Sequence, residues 1–214
     1  AIKRQSYTNY EIIIVDNESS DSTLKRAKKF KIEKIVSISN YLPGKALNEG
    51  IKHASGKYIV CISAHCIPVN NLWLGNLVRS LEQDNAIAGA YGRQEPMSFS
   101  SLANKRDLLL VFGLDQKIQI KDSFFHNANS IIRKDILDQF PFDDETTNIE
   151  DRIWGRQMIE NGYKLAYTPD ASVYHHHGIH QDDDLQRLNN VVQIIEKIPG
   201  LSKPGQISPK DLNI

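Results

Sequence analysis

The chain has 214 residues, enough for one domain with a full hydrophobic core, and its 26 Lys and Arg residues balance 26 Asp and Glu residues. A net charge of zero gives no general attraction for nucleic acid, so we expect no nucleic-acid partner. Two cysteines are too few for a disulfide framework and favour a reducing, cytoplasmic compartment. No run of 18 apolar residues occurs, so we expect no transmembrane segment.

The first part of the chain alternates predicted strands with predicted helices. The strands are predicted at 11–16, 35–39, 58–62 and 87–91. Between them, helices are predicted after Ser22, with Phe30 on the inner face, and over 43–53 and 71–82. This alternation favours an α/β sandwich with a mainly parallel central sheet.

After Gly92 the pattern is less regular. Residues 94–125 have no clean period, and we expect them to cover the sheet with helix and loop. Further elements are predicted as strands at 129–133, 164–167 and 172–176 and as helices at 151–161 and 185–198. We therefore expect one domain over residues 1–198, followed by a polar tail over 199–214.

Asp16 directly follows the first predicted strand. An aspartate in this position can cap the next helix. Its carboxylate can instead accept a hydrogen bond from the N–H of a pyrimidine base seated at the strand end. Both interpretations stay open.

The segment 44–50, Gly-Lys-Ala-Leu-Asn-Glu-Gly, opens the second predicted helix. Small residues at 44, 46 and 50 allow that helix to approach a nucleoside closely. Lys45, near the helix N-terminus, can meet phosphate charge. The alternative is a solvated lysine on an amphipathic helix.

Ser63, Ala64 and His65 follow the buried strand 58–62, at the strand end where α/β folds bind ligands. Alternation in an extended segment places His175 and His177 on one face, and with His65 they can bind Zn²⁺ or Mn²⁺. The alternatives are a structural histidine at 65 and a histidine cluster that faces solvent or donates directly to phosphate.

Glu150 and Asp151 begin the helix predicted at 151–161. Acidic residues in a first turn stabilise the helix dipole, which is the ordinary explanation. Asp151 can also act as a general base that removes a proton from an attacking hydroxyl. Trp154 would then offer a flat apolar face to a sugar ring.

Taken in order, these segments resemble family 2 inverting glycosyltransferases of the GT-A fold. The resemblance covers roughly residues 1–180. It rests on the order and spacing of residues 10–23, 44–50, 54–59, 62–68, 127–133, 150–151 and 162–169. Residues 63–66 and 92–96 are similar to a rhamnosyltransferase-like subgroup.

The resemblance implies transfer of a sugar from a nucleotide-diphosphate donor to a hydroxyl, with inversion, in cell-surface glycan synthesis. It implies a glycan or lipid-linked acceptor and a cytoplasmic protein that associates peripherally with the inner face of the membrane. The implied catalytic residues are Asp151 and Glu150. The implied donor-binding residues are Asp16, Asn17, Lys45, Ser63, Ala64 and His65. The implied acceptor-binding residues are Trp154, Asn127 and Asn129.

The chain departs from that family at two places. Ser63 and His65 stand where the family has aspartates, and each like-charge pair removed beside a diphosphate relieves about 4 kcal/mol at 4 Å and an effective dielectric near 20. We therefore expect a divalent cation, Mn²⁺ or Mg²⁺, that helps but is weakly bound by His65, His175 and His177, and we leave a metal-free reaction open. The family's first strand is also absent, so we expect it between strands 11–16 and 58–62 in a protein that is longer at its N-terminus.

Two alternative functions stay open on the sequence. The altered residues 63–65 favour a catalytically inactive GT-A domain that binds a nucleotide or glycan. A sugar-nucleotide pyrophosphorylase shares the α/β architecture, although residues 150–177 fit it poorly.

Overall fold

A computed structural model describes residues 1–176, except 31 and 147, together with residue 193. The strands are Ile13–Asp16 (β1), Lys34–Ser37 (β2), Tyr58–Ile62 (β3), Cys66–Pro68 (β4), Ile87–Pro96 (β5), Lys117–Gln119 (β6), Asn129–Arg133 (β7) and Lys164–His175 (β8). The α-helices are Thr23–Ala27 (α1), Pro43–Lys52 (α2), Trp73–Glu82 (α3), Leu102–Val111 (α4), Lys134–Gln139 (α5) and Glu150–Glu160 (α6). A short 3₁₀ helix covers Ile2–Arg4.

The central sheet has the strand order β3-β7-β5-β8-β4, and β6 pairs with β8. Its β5–β8 pair is parallel, whereas β3–β7, β5–β7, β4–β8 and β6–β8 are antiparallel. The predicted α/β fold is confirmed, but the sheet is mixed, and the prediction that it is mainly parallel is wrong. A run of apolar residues identifies a buried strand without revealing its direction, so the reversal of β7 was not predicted.

Helices cover both faces of this sheet, as the α/β class requires. On one face α3 supplies Trp73, Leu77 and Leu81 to a core shared with β5, β7 and β8. On the other face α4, α5 and α6 pack together, with Leu108, Ile136, Leu137, Trp154 and Met158 in a second core. β3 contributes to both cores, because Cys61 lies in the second one, and Val60 and Ile62 pack against the first.

β1 and β2 form a separate parallel pair. Within the described part of the chain, no strand pair joins β1 to β3. The strand expected between them stays a prediction. Helix α2 packs directly on β1, because a Cβ added at Gly50 would lie 2.9 Å from Cγ2 of Val15.

Some predicted boundaries differ from the structure. Residues 94–125 contain the end of β5, helix α4 and strand β6, and the strands predicted at 164–167 and 172–176 are one strand, β8. Helix α1 ends at Ala27, so Phe30 is 61% exposed and not on an inner face. The helix predicted at 185–198 and the tail at 199–214 fall, apart from residue 193, outside the described residues, and the single domain over 1–198 stays a prediction. Each helix in the described part of the chain is too short or too polar to traverse a bilayer.

Candidate active site

The turn at residues 63–66 follows the carboxyl end of β3 and leads into β4. The backbone N–H of Cys66 donates to the carbonyl oxygen of Ser63 over 3.0 Å, which closes the turn. The N–H of Ser63 donates to the carbonyl oxygen of Ala128 over 3.1 Å. Because β3 and β7 are antiparallel, this bond sets the turn against the residues that precede β7.

Asp151 lies in the first turn of α6 and is 9% exposed. Its Oδ2 accepts a 3.1 Å hydrogen bond from the backbone N–H of Asn127, and its Oδ1 accepts one of 2.8 Å from the N–H of Arg152. Asn127 directly precedes Ala128, which binds the 63–66 turn. Asp151 and the 63–66 turn thus hydrogen-bond to the backbone of two consecutive residues, Asn127 and Ala128.

The buried thiol of Cys61, in β3, is affected by the charges of both carboxylates. Burial raises the pKa of Cys61 to about 12, and the negative charges of Glu150 and Asp151 add to that rise. Glu150 is itself buried at the start of α6. The hydrogen bonds from Asn127 to Asp151 and from Ser63 to Ala128 place the start of α6 near the carboxyl end of β3.

A buried polar chain supports Asn127. The hydroxyl of Ser130, which has no exposed surface, donates to Oδ1 of Asn127 over 3.2 Å and is hydrogen-bonded to the thiol of Cys61. Nδ2 of Asn127 is buried without a hydrogen-bond partner among the described residues. Ser130 was not predicted as a site residue, because its role depends on neighbours across the sheet, such as its register partner Cys61.

His126 precedes Asn127 at the same place. Burial lowers the pKa of His126, the charge of Arg152 lowers it further, and the charge of Asp151 opposes both. Nδ1 of His126 accepts a hydrogen bond of 3.3 Å from the N–H of Ala128, which fits a neutral ring. This histidine adds no positive charge beside Asp151 near pH 7.

His65 and His175 meet at the other side of the turn. Their rings stack with centroids 4.9 Å apart and planes inclined by 17°. The N–H of His176 donates to the carbonyl oxygen of His65 over 3.4 Å, and Cys66 is the register partner of His175. The predicted approach of His65 and His175 is therefore present in the structure.

The stacked geometry does not fit two ligands of one metal ion. Imidazole nitrogens bind a metal in the plane of the ring, and nearly parallel stacked rings do not aim their nitrogens at a common point. Within the described residues, no group of three or more His, Cys, Asp and Glu side chains is arranged to hold a metal. His177, the third predicted ligand, lies outside those residues.

The residues predicted to bind the donor base and phosphates lie on β1 and α2. Asp16 is buried, and its Oδ2 accepts a 2.9 Å hydrogen bond from the N–H of Ser19, so it closes its own loop. Asn17 is exposed beside it. Lys45 is exposed, and its Nζ lies 3.4 Å from the carbonyl oxygen of Ser39. Among the described residues, neither Asp16 nor Lys45 hydrogen-bonds to the 63–66 turn.

Helix α2 connects these residues to Asp151. The side chain of Asn48 donates to the carbonyl oxygen of Phe142 over 2.8 Å and accepts from its N–H over 3.0 Å, as a backbone segment would. A Cβ on Gly44 would lie 1.7 Å from the carbonyl oxygen of Asp143 and 3.4 Å from Cβ of Glu150. The small residues of segment 44–50 thus serve close packing of α2 onto the segment before α6.

Two predicted acceptor-binding residues belong to the core instead. Trp154 is 1% exposed, contacts the rings of Phe125 and Phe142, and donates from Nε1 to the carbonyl oxygen of Phe140 over 3.0 Å. Its ring offers no face to a sugar, so this prediction is wrong. Asn129 has no exposed surface, and its amide binds Trp73 and the carbonyl oxygens of Arg93 and Ala171. All its polar atoms serve the fold, so it is also not an acceptor contact.

Gln94 is a residue that the sequence analysis did not assign. It is 1% exposed, and within the described part of the chain both atoms of its amide lack a hydrogen-bond partner. It is the register partner of Val173 on β8, two residues from His175. An amide buried in this way costs stability.

Comparison with known proteins agrees with this fold. The sequence profile described as Glycosyl transferase family 2 matches residues 1–140. The O-antigen chain rhamnosyltransferase RfbN of Salmonella typhimurium is 27% identical over 207 residues, which cover 87% of this chain and 63% of that protein. The UDP-Glc:alpha-D-GlcNAc-diphosphoundecaprenol beta-1,3-glucosyltransferase WfgD of Escherichia coli is 28% identical over 111 residues, covering 49% of this chain and 42% of that protein. The chain spans less than two thirds of the length of these relatives.

Solved structures share the architecture. The mannosyltransferase PcManGT from Pyrobaculum calidifontis, in complex with GDP-Man and Mn²⁺, superposes with a TM-score of 0.68 at 19% identity, over 92% of this chain and 57% of that one. Staphylococcus aureus TarS (residues 1–349) gives a TM-score of 0.64 at 16% identity, over 81% of this chain and 53% of that one. At such identities the likeness shows the GT-A fold alone. With the profile matched over more than half of its length and this fold, the chain belongs to glycosyl transferase family 2.

Proposed function

We propose that this protein transfers a sugar from a nucleotide-diphosphate donor to a hydroxyl group of a glycan or lipid-linked acceptor, in the synthesis of a cell-surface glycan. Its family and its similarity to an O-antigen rhamnosyltransferase and to a glucosyltransferase support this class of reaction. The observation that carries the proposal is the Asp151 carboxylate, held by the N–H of Asn127 next to the residue that binds the 63–66 turn.

Asp151 acts as the general base in this proposal. The acceptor hydroxyl attacks the anomeric carbon while Asp151 takes its proton, and the bond from that carbon to the diphosphate breaks with its electron pair leaving on the diphosphate. Attack from the side opposite the leaving group inverts the anomeric centre. The two backbone donors on Asp151 fix the orientation of its carboxylate, and a positioned base contributes about 10²–10⁴-fold to such a step.

The 63–66 turn receives the diphosphate. Ser63 and Ala64 carry no charge, and a neutral His65 does not repel the phosphate oxygens, so the turn avoids the repulsion of about 4 kcal/mol that each carboxylate would add at 4 Å. Asp16 and Asn17 contact the nucleoside, and Lys45 meets phosphate charge. The packing of α2 against both β1 and the segment before α6 supports placing these groups along one donor molecule.

A divalent cation is not assigned a step. PcManGT was solved with Mn²⁺, so we retain Mn²⁺ and Mg²⁺ as candidate cofactors of this chain. The stacking of His65 on His175 does not fit two ligands of one ion, so we derive no step through a metal. Titration of Mn²⁺ into wild type and His65→Ala tests the prediction that His65 binds the cation. Equal affinities for Mn²⁺ would exclude His65 as a ligand.

The decisive experiment compares Asp151→Asn with Asp135→Asn. Asp135 is a matched control, because it also lies in a first helical turn and its carboxylate also accepts from the next N–H. A thermal-shift screen of UDP-, GDP-, dTDP- and CMP-sugars, with rhamnose donors included, first identifies the donor. We expect Asp151→Asn to reduce transfer by about 10²-fold or more with donor binding retained, and Asp135→Asn to retain full transfer.

Unchanged turnover in Asp151→Asn would remove Asp151 from the mechanism. Donor binding by wild type without transfer, over the whole donor panel with Mn²⁺ and Mg²⁺ present, would favour the inactive binding module instead.

A further inference from the structure

Exposed apolar side chains are concentrated in one segment of this protein. Of the 13 large apolar side chains that are exposed in the described residues, eight lie between residues 99 and 120. We call these eight the apolar patch: Phe99, Leu102, Leu109, Leu110, Val111, Leu114, Ile118 and Ile120. Clustering of this kind marks an interaction surface, whereas single exposed apolar residues are ordinary.

Helix α4 exposes apolar side chains at both of its ends, whereas its middle residues, 104–107, are polar. Leu108 and Asn104 face the core and are buried. Leu102 and Leu110, by contrast, are 85% and 76% exposed. The two ends of α4 therefore add apolar groups to the exposed surface formed by residues 99–120.

The apolar patch borders the candidate active site. The ring of Phe99 lies 5.5 Å from the ring of His176, whose N–H donates to the carbonyl oxygen of His65. At the other end of the patch, Ile118 on β6 is the register partner of Ala166 on β8. A molecule bound to the patch would therefore end beside the 63–66 turn.

The segment that carries the patch also carries basic side chains. Residues 99–121 contain four basic residues, Lys105, Arg106, Lys117 and Lys121, and two acidic ones, Asp107 and Asp115. Asp107 pairs with Arg106 at 2.8 Å, which leaves three lysines against Asp115 in this segment. The segment is thus positive within a chain of zero net charge. Protruding aliphatic and aromatic groups mixed with Lys and Arg are the pattern that binds the headgroup region of a bilayer.

We propose that the apolar patch binds the surface of a lipid bilayer that contains anionic lipid. The patch inserts its Leu, Ile and Phe side chains at the boundary of the acyl chains, and the four basic residues contact the headgroups. The choice of a bilayer over another protein rests on this charge pattern and, through the proposed function, on a lipid-linked acceptor that reaches the site along the membrane.

The test is co-sedimentation of the full-length protein with vesicles of phosphatidylcholine, with and without 30% phosphatidylglycerol. We expect binding that requires phosphatidylglycerol, and a loss of about tenfold or more in the double variant Leu109→Ser, Leu110→Ser. The matched control is Phe30→Ser, Leu72→Ser, which removes two exposed apolar groups of similar size outside the patch and should bind as wild type does. The variant Lys117→Gln, Lys121→Gln should weaken the dependence on phosphatidylglycerol.

Other outcomes overturn the proposal. Wild type that fails to bind these vesicles, or equal binding by the patch and control variants, would exclude a membrane role for this surface. Conversion of a dimer to a monomer by the patch variant, with vesicle binding unchanged, would assign the patch to a second copy of the chain. A fall in melting temperature with vesicle binding unchanged would show that another part of the protein covers it.

The vesicle assay needs no nucleotide sugar, so its result is independent of the proposed transfer reaction. Where transfer is measurable, the patch variant should lose activity on a vesicle-embedded acceptor and keep it on a short water-soluble acceptor. Absence of transfer by the wild type on both acceptors, together with binding of the wild type to vesicles, would count against the proposed function alone.

Discussion

The backbone N–H of Asn127 donates to Oδ2 of Asp151 over 3.1 Å, and this bond joins the first turn of α6 to the residues before β7. The next residue, Ala128, accepts from the N–H of Ser63 in the turn after β3. The backbone of residues 127 and 128 thus hydrogen-bonds to both the proposed base and the proposed diphosphate site. Displacement of residues 127–128 should disturb both at once.

Ser130 should influence the reaction through Asn127. Its hydroxyl binds Oδ1 of Asn127, so Ser130→Ala removes one buried hydrogen bond and loosens the residue that orients Asp151. We expect kcat to fall by about fivefold, which corresponds to about 1 kcal/mol for one such bond, with little change in the donor KM. The control is Ser80→Ala, which removes a buried serine bond inside α3 and should leave kcat unaltered. Equal kcat values for the two variants would show that Ser130 serves the fold only.

Gln94→Met should stabilise the protein. Methionine has a similar volume and leaves no buried donor or acceptor unsatisfied, so the free energy of unfolding should rise by about 1 kcal/mol. Gln119→Met is the matched comparison, because Nε2 of Gln119 donates to the carbonyl oxygens of Asp122 and Phe124, and this variant should be destabilised. Urea unfolding of both variants measures the difference. A lower free energy of unfolding in Gln94→Met would show that the Gln94 amide forms hydrogen bonds when the protein is in solution.

Gly44→Ala should destabilise the protein and impair transfer. Its Cβ would overlap the carbonyl oxygen of Asp143, and α2 would have to move away from the segment that carries Glu150 and Asp151. Overpacking of this kind costs about 1–3 kcal/mol or more. In contrast, Gly75→Ala in α3 meets no atom within 4 Å and should add up to about 1 kcal/mol through helix propensity. Thermal unfolding of the two variants tests this prediction, and equal melting temperatures would contradict it.

Alkaline pH should weaken the fold through its buried thiols. Burial raises the pKa of Cys61 and of Cys66 from 9.0 to about 12, so above pH 9 the unfolded state releases protons that the folded state keeps. The stability due to this shift is complete below pH 9 and is lost as pH rises towards about 12. Burial also raises the pKa of Tyr91 and Tyr167, which acts in the same direction at still higher pH. Urea unfolding at pH 7, 9 and 10.5 should show the fall, and a Cys61→Ala, Cys66→Ala variant should show a smaller one.

Several elements could be predicted from the sequence because their signals are local. The bounds of β3 and β7, 58–62 and 129–133, match the prediction. β3 is a short apolar run, and β7 has the β-branched pair Ile131 and Ile132 at its centre. The direction of β7 could not be read in the same way. Its antiparallel pairing with β3 and β5 depends on the path of the chain through residues 94–125, where no clean period exists.

The candidate site was predictable in part. Residues 63–65 were predicted from their place after a buried strand, and Asp151 from its place in a first helical turn, before the resemblance added to both. In the structure, Ser63 and Asp151 hydrogen-bond to two consecutive residues, Ala128 and Asn127. Trp154 was assigned wrongly, although its spacing of four from Met158 was a signal for the buried face of α6. Ser130 and Gln94 went unassigned, because a polar residue in a strand gains meaning only from its neighbours across the sheet.

The amino-acid sequence alone determined the α/β class, the strands and helices with a clear local pattern, and the acidic pair that begins α6, because periodicity, capping and turn residues act within a few positions of each other. Only the tertiary structure decided which side chains share the site. The mixed sheet, the stacking of His65 on His175 and the burial of Trp154 and Asn129 all follow from contacts between residues far apart in the chain. Such contacts are selected by the packing of whole layers, and no local stretch of residues encodes them.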